Sequence, residues 1–196
     1  MPLIDAEEAL PSPLLPLYVL DACSLLNLVA SRRLPDTVRG TPAAFLIPEQ
    51  AATEIRYVRR GGGGADADER EPVSLRDFEE VGRLVVVSLE AAAEVASFIS
   101  FAAQMDDGEA ASCAVVVNRG GTLVSDDRKA RRIIREGFPS TPLLATSEVI
   151  KAWADASGLD PNALARVLTD VEERGNFRPG HNDPLAHWWN ASRSRV

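Results

Sequence analysis

The 196-residue chain is short of the residues that anchor several common kinds of protein. It has two cysteines, two histidines and 6% aromatic residues. Cys23 and Cys113 cannot build a disulfide framework, so reduced thiols and a cytoplasmic setting are the expectation. Both cysteines are expected to pack as small buried residues. His181 and His187 both fall in the tail, so no imidazole is near the central motifs to activate a thiol or hydroxyl. Lysine is nearly absent: Lys129 and Lys151 stand alone, and the remaining basic side chains are arginine, which suits bidentate phosphate contacts. No apolar run is long enough to cross a membrane. The first sixteen residues carry four prolines with Asp5, Glu7 and Glu8, unlike a secretory leader. The net charge of −8 argues against binding nucleic acid by bulk charge. It leaves metal-dependent chemistry open, because a cation site needs carboxylates and bound ions reverse the local field.

What remains, 45% hydrophobic and 26% charged residues, is ordinary for one well-packed domain. Five short apolar runs read as strands: Leu17 to Leu20, Ala44 to Ile47, Leu84 to Ser88, Thr122 to Ser125 and Pro142 to Ala145. Helical periodicity follows each of them. The expected helices cover Ser24 to Val29, Glu49 to Arg60, Leu75 to Gly82, Ala91 to Gln104, Asp107 to Asn118, Arg128 to Arg135 and Ser147 to Ala156. Gly61 to Pro72 reads as a mobile acidic surface loop. Strands alternating with helices predict an α/β fold with three α/β/α layers around a central five-stranded parallel sheet. The predicted domain spans residues 17–157, after a tail at 1–16. A helical extension over 158–196 starts at Asp160-Pro161, includes a helix over Asn182 to Asn190, and packs on the domain through its tryptophans.

Acids stand where these strands end. Asp21 closes the first strand, a position also suited to capping a helix. Glu54 lies in the helix after the second strand. Asp106 and Glu109 are three apart in Met105-Asp106-Asp107-Gly108-Glu109, which also fits a reciprocal helix cap. Asp126 and Asp127 close the fourth strand after Ser125, and two adjacent carboxylates repel without a cation between them. If strands one and four are neighbours, the direction of winding reverses between them and a crevice opens at their carboxyl ends. Asp21, Asp126 and Asp127 would flank it, with Glu54 and Glu109 reaching in. Such a set, with no histidine or thiolate partner, selects Mg²⁺ or Mn²⁺. Arg128, Arg131, Arg132 and Arg135 share one helical face, and Arg56, Arg59 and Arg60 are expected to share another; both begin beside the acids, as phosphate contacts would.

Val19-Leu20-Asp21, Glu54, Asp107-Gly108-Glu109-Ala110 and Val124-Ser125-Asp126-Asp127-Arg128 together resemble the four acidic motifs of PIN-domain proteins. The resemblance covers roughly residues 17 to 150. It is closest to the subgroup with an Asp-x-Gly-Glu third motif, many of which look like VapC-type toxins. It implies a metal-dependent endoribonuclease that cuts RNA by two-metal hydrolysis. It also implies an antitoxin protein partner and a homodimer. The residues carried over are Asp21, Glu54, Glu109 and Asp127 as catalytic. Asp106 and Asp126 are further candidate metal ligands, and the arginine spacing described above, not the resemblance, offers Arg56, Arg128, Arg131 and Arg132 as RNA contacts. Ser125 replaces the hydroxyl residue often seen before the fourth acid. The alternative is a catalytically silent PIN module that binds RNA or a protein partner. A phosphatase or receiver domain fits poorly: Cys23 stands where a second aspartate would be needed, and no lysine occurs between Ala145 and Lys151.

Overall fold

The computed structural model describes residues 15–74 and 83–194. Five parallel strands form its central sheet in the order β5-β2-β1-β6-β7. They are β1 (Leu17–Leu20), β2 (Ala44–Pro48), β5 (Leu84–Val87), β6 (Thr122–Val124) and β7 (Leu143–Leu144). Helices cover both faces. They are α1 (Ala22–Ala30), α2 (Leu34–Gly40), α3 (Glu49–Glu54), α4 (Ala92–Ala102), α5 (Asp107–Arg119), α6 (Arg128–Gly137), α7 (Thr146–Ala156), α8 (Pro161–Gly175) and α9 (Ala186–Arg193). The three-layer α/β/α architecture is the one expected.

Two-residue alternation in the strands explains the layers, because successive strand side chains point to opposite faces. Leu20, Phe45, Ile47 and Val124 join one core, with α1, α7, α8 and Trp189 of α9. Their sequence neighbours Val19, Leu46 and Leu123 join the other, with Phe101, Cys113, Val116 and Ile134. Small residues from Ala110 to Ala114 let α5 lie close to the sheet, where the Ser112 hydroxyl donates to the Leu20 carbonyl at 3.0 Å. Gly121, at φ +101°, turns the chain into β6; a Cβ there would sit 2.6 Å from the Leu17 carbonyl oxygen.

Several boundaries differ from expectation. The helix expected to reach Arg60 stops at Glu54, because Tyr57-Val58-Arg59 alternate out, in, out, which is strand periodicity. They form β3 (Tyr57–Arg59), paired antiparallel with β4 (Arg70–Pro72). Arg56, Arg59 and Arg60 therefore share no helix face. The stretch expected to be a mobile loop is instead held down. Arg174 donates to the Arg60 carbonyl at 2.9 Å and to Glu71 at 2.8 Å, and the Gly62 amide donates to Glu173 at 2.7 Å. Helix α2, with proline in its first turn, was not anticipated. The last helix runs from Ala186 to Arg193 rather than from Asn182 to Asn190. The helix expected over Leu75 to Gly82 and the tail before residue 15 lie outside the described residues.

Candidate metal centre

The chain winds outward from β1 through β2 to β5, then returns to β6 and β7 on the other side. The reversal lies between β1 and β6, whose carboxyl ends carry Asp21 on one side and Ser125, Asp126 and Asp127 on the other. The Asp21 amide donates to the Val124 carbonyl at 3.2 Å, which locks the first acid to the end of β6.

Asp21 is 2% exposed. Its Oδ1 accepts from the Ser24 amide at 2.6 Å, so it caps α1. Its Oδ2 is buried and has no hydrogen-bond partner, and neither has the buried Ser24 hydroxyl. Burial pushes the Asp21 carboxyl above its ordinary range, and the charge of Asp127 adds to the rise. The Ser125 and Ser24 hydroxyls lie close enough to ease this, but neither gives Oδ2 a hydrogen bond of ordinary geometry. A buried carboxylate oxygen without a donor is costly unless a cation or proton meets it.

Glu109, half-buried on the first turn of α5, faces the same space. Desolvation pushes its carboxyl up to about 7, with the charges of Asp127, Asp106 and Asp21 contributing. Asp106, Glu109 and Asp127 line one open cavity of about 430 Å³, together with Gln104, Met105 and Lys129. Lys129 is a residue that the sequence reading passed over. It stands two positions after Asp127 and offers an ammonium at the rim of an acidic pocket.

The remaining acids are engaged elsewhere. Glu54 Oε1 accepts from the Gly108 amide at 2.8 Å, so α3 caps α5 from outside. The reciprocal cap expected within α5 does not form: Asp106 holds the N-cap position but its side chain makes no capping bond. Asp127 caps α6 through the Ala130 amide at 2.7 Å, and the Ser125 hydroxyl accepts from the Asp127 amide at 3.2 Å. Asp126 turns away to α7, accepting from the Thr146 amide at 3.0 Å and from its hydroxyl. Burial raises Asp126 to about 6, with Asp21 and Asp183 adding negative charge. Asp183, from the segment between α8 and α9, was also missed; it accepts from the Ser147 hydroxyl beside Thr146. Both of the adjacent aspartates therefore cap helices, where the sequence required only one to do so.

Cys23 is exposed rather than buried as expected, while Cys113 is fully buried. Desolvation of the Cys23 thiol, then the charges of Asp21, Glu109, Asp126 and Glu54, push it up to about 12. These acids come from four segments of the chain, and a thiol pushed this high is no nucleophile. The arginines divide. Arg131 is half-buried and donates to the Ser125 carbonyl at 2.8 Å, while Arg128, Arg132 and Arg56 are exposed. Among the described residues, no group of three or more His, Cys, Asp or Glu side chains is arranged to hold a metal ion. No family model matches the chain, and no curated protein or solved structure matches it.

Proposed function

We propose that the chain is a metal-dependent endoribonuclease of the PIN type, with Mg²⁺ or Mn²⁺ held at the carboxyl ends of β1 and β6. The observation that carries this reading is the buried Asp21 Oδ2, which has no hydrogen bond of ordinary geometry and shares its surroundings with the charges of Asp127 and Glu109. An oxygen-only set of acids fits a hard cation. Asp21, Glu109 and Asp127 would hold it, with Asp106 at the open edge and Glu54 and Asp126 supporting from their helix caps.

When bound, the cations would supply charge neutralisation at the phosphodiester and a more acidic water. The protein's own part is to hold the strand. Arg128 and Arg132 on the exposed face of α6 and Lys129 at the rim offer phosphate contacts beside the acids. Arg131 fixes the Ser125 carbonyl and so the turn that carries Asp126 and Asp127. The test is cleavage of unstructured RNA with Mn²⁺ or Mg²⁺. Activity should vanish in EDTA and fall in Asp21→Asn and Asp127→Asn by more than the roughly ten- to hundredfold that loss of a residue supporting a metal ligand costs. Full activity in both variants would end the assignment.

One observation favours a second reading, a silent module that binds RNA or a protein partner. Glu54, Asp126 and Asp127 each already satisfy a helix N-terminus. Manganese calorimetry separates the two, because a silent module has no site to titrate. A toxin role, with a small antitoxin partner and a homodimer, belongs to the same proposal and is tested by copurification with the product of an adjacent reading frame.

A further inference from the structure

The β3–β4 hairpin turns one face inward and one outward. Val58 and Glu71 face inward: Val58 is buried, and Glu71 is clamped by Arg174. Alternation places Tyr57, Arg59, Arg70 and Pro72 on the outer face. Arg59 and Arg70 are direct cross-strand partners there. Like charges placed directly opposite destabilise a hairpin. Little offsets this: Arg70 has no ion pair among the described residues, and Arg59 meets only Asp68, at 3.7 Å, whose side chain is 93% exposed. The Arg70 guanidinium lies 4.1 Å from the centroid of the Tyr57 ring, and Tyr57 is 42% exposed. Arg56, one residue before Tyr57, is exposed and has no partner side chain among the described residues. The outer face thus sets Arg56, Arg59 and Arg70 around an exposed ring, while the hairpin's Glu69 and Glu71 are taken up by Arg60 and Arg174.

The ribbon is also close to the candidate site. Tyr57 follows Glu54 by three residues, so their Cα atoms are at most about 11 Å apart.

We propose that this outer face is a platform for single-stranded RNA, with a nucleobase stacked on the Tyr57–Arg70 pair and phosphates taken by Arg56 and Arg59. Aromatic and guanidinium planes accept any base by stacking, and the arginines supply the charge complementarity that a polyanion needs. A strand so held would lie within reach of Glu54, at the edge of the candidate site. The inference rests on the ribonuclease reading for its substrate, but its test does not depend on hydrolysis.

The experiment is fluorescence anisotropy of a labelled unstructured oligoribonucleotide with the full chain in EDTA. Tyr57→Ala should weaken binding by about tenfold, and Tyr57→Phe should stay within about twofold of wild type, since stacking needs the ring and not the hydroxyl. Arg56→Gln with Arg59→Gln should lower the slope of log affinity against log salt by about 1.4, roughly 0.7 for each phosphate contact on a single strand. Unchanged thermal unfolding of these surface variants ties the losses to the platform. Duplex RNA should compete poorly, because its bases are not free to stack. The proposal is overturned if wild type does not bind the oligomer in EDTA, or if Tyr57→Ala binds as wild type does. It is equally overturned if the hairpin variants abolish capture of a protein partner while RNA binding is untouched. Absence of Mn²⁺-dependent cleavage with EDTA binding intact would instead count against the nuclease reading alone.

Discussion

Glu54 reaches across from α3 to accept a hydrogen bond from the amide of Gly108 in the first turn of α5, at 2.8 Å. The contact needs glycine, since a Cβ at 108 would lie 2.5 Å from Glu54 Oε1. Two motifs fifty-four residues apart are joined by it.

That pairing makes a thermodynamic prediction. Gly108→Ala should swing the Glu54 side chain out and lose a cap worth roughly 0.5–2 kcal/mol, partly offset by the better helix propensity of alanine. Glu54→Ala should then cost about 1 kcal/mol in wild type and almost nothing in the Gly108→Ala background. Urea unfolding of the four proteins in the cycle measures the coupling; equal costs in both backgrounds would show that the two residues do not interact.

Glu94 sets the acid limb of stability. It is 4% exposed, donors from Arg119 and the Ala91 and Glu90 amides surround it, and its carboxyl is lowered to about 2 from 4.5, chiefly by Arg119. A lowered folded-state pKa gives stability that is present above about 4.5 and is lost as pH falls towards about 2. Because Arg119 is itself 28% exposed, screening trims the full effect to on the order of 2 kcal/mol. Glu94→Gln should therefore be less stable than wild type at pH 7, with most of that difference gone at about pH 2.5 and the rest lost only as pH passes below about 2. A constant difference across that range would refute the link.

The candidate site has the opposite sign. Glu109 and Asp126 are raised to about 7 and about 6, mainly by desolvation. Raised carboxyl pKa values give stability that is complete below the unfolded values and is lost as pH rises through the folded ones. The metal-free protein should weaken between about pH 4 and 7, and Glu109→Gln should flatten that decline. Thermal unfolding in EDTA across this range is the check. A decline as steep in Glu109→Gln as in wild type would remove Glu109 from the cluster.

Trp189 tests the tail. It is fully buried, its indole N–H donates to Glu172 at 2.9 Å, and its ring meets Phe177 edge-on. Trp189→Ala should cost about 3–5 kcal/mol and lower Tm by roughly 10 °C. A Tm within about 2 °C of wild type would mean that the tail does not help hold the core together.

The sheet was legible because buried parallel strands are short apolar runs, and the Val19/Leu20 and Leu123/Val124 alternation splits cleanly between two cores. The winding reversal followed from where the acids fell. The hairpin was not legible: Arg56 to Arg60 are charged enough to pass for an exposed helix face, and only pairing with Arg70–Pro72, beyond a glycine turn, makes them a strand. Asp183 and Lys129 were missed for different reasons. Asp183 enters through a contact 36 residues distant in sequence, whereas Lys129 could have been found by its place in the first turn of the helix that Asp127 caps. The caps made by Glu54 and Asp126 likewise depend on partners that only folding brings near.

Manganese titration of the metal-free protein by calorimetry, wild type beside Asp21→Asn, bears most directly on the central claim. Saturable binding by wild type, weakened at least about tenfold when the buried Asp21 carboxylate becomes an amide, is the predicted outcome. Heats no larger than dilution for wild type, or identical isotherms for the two proteins, would contradict it.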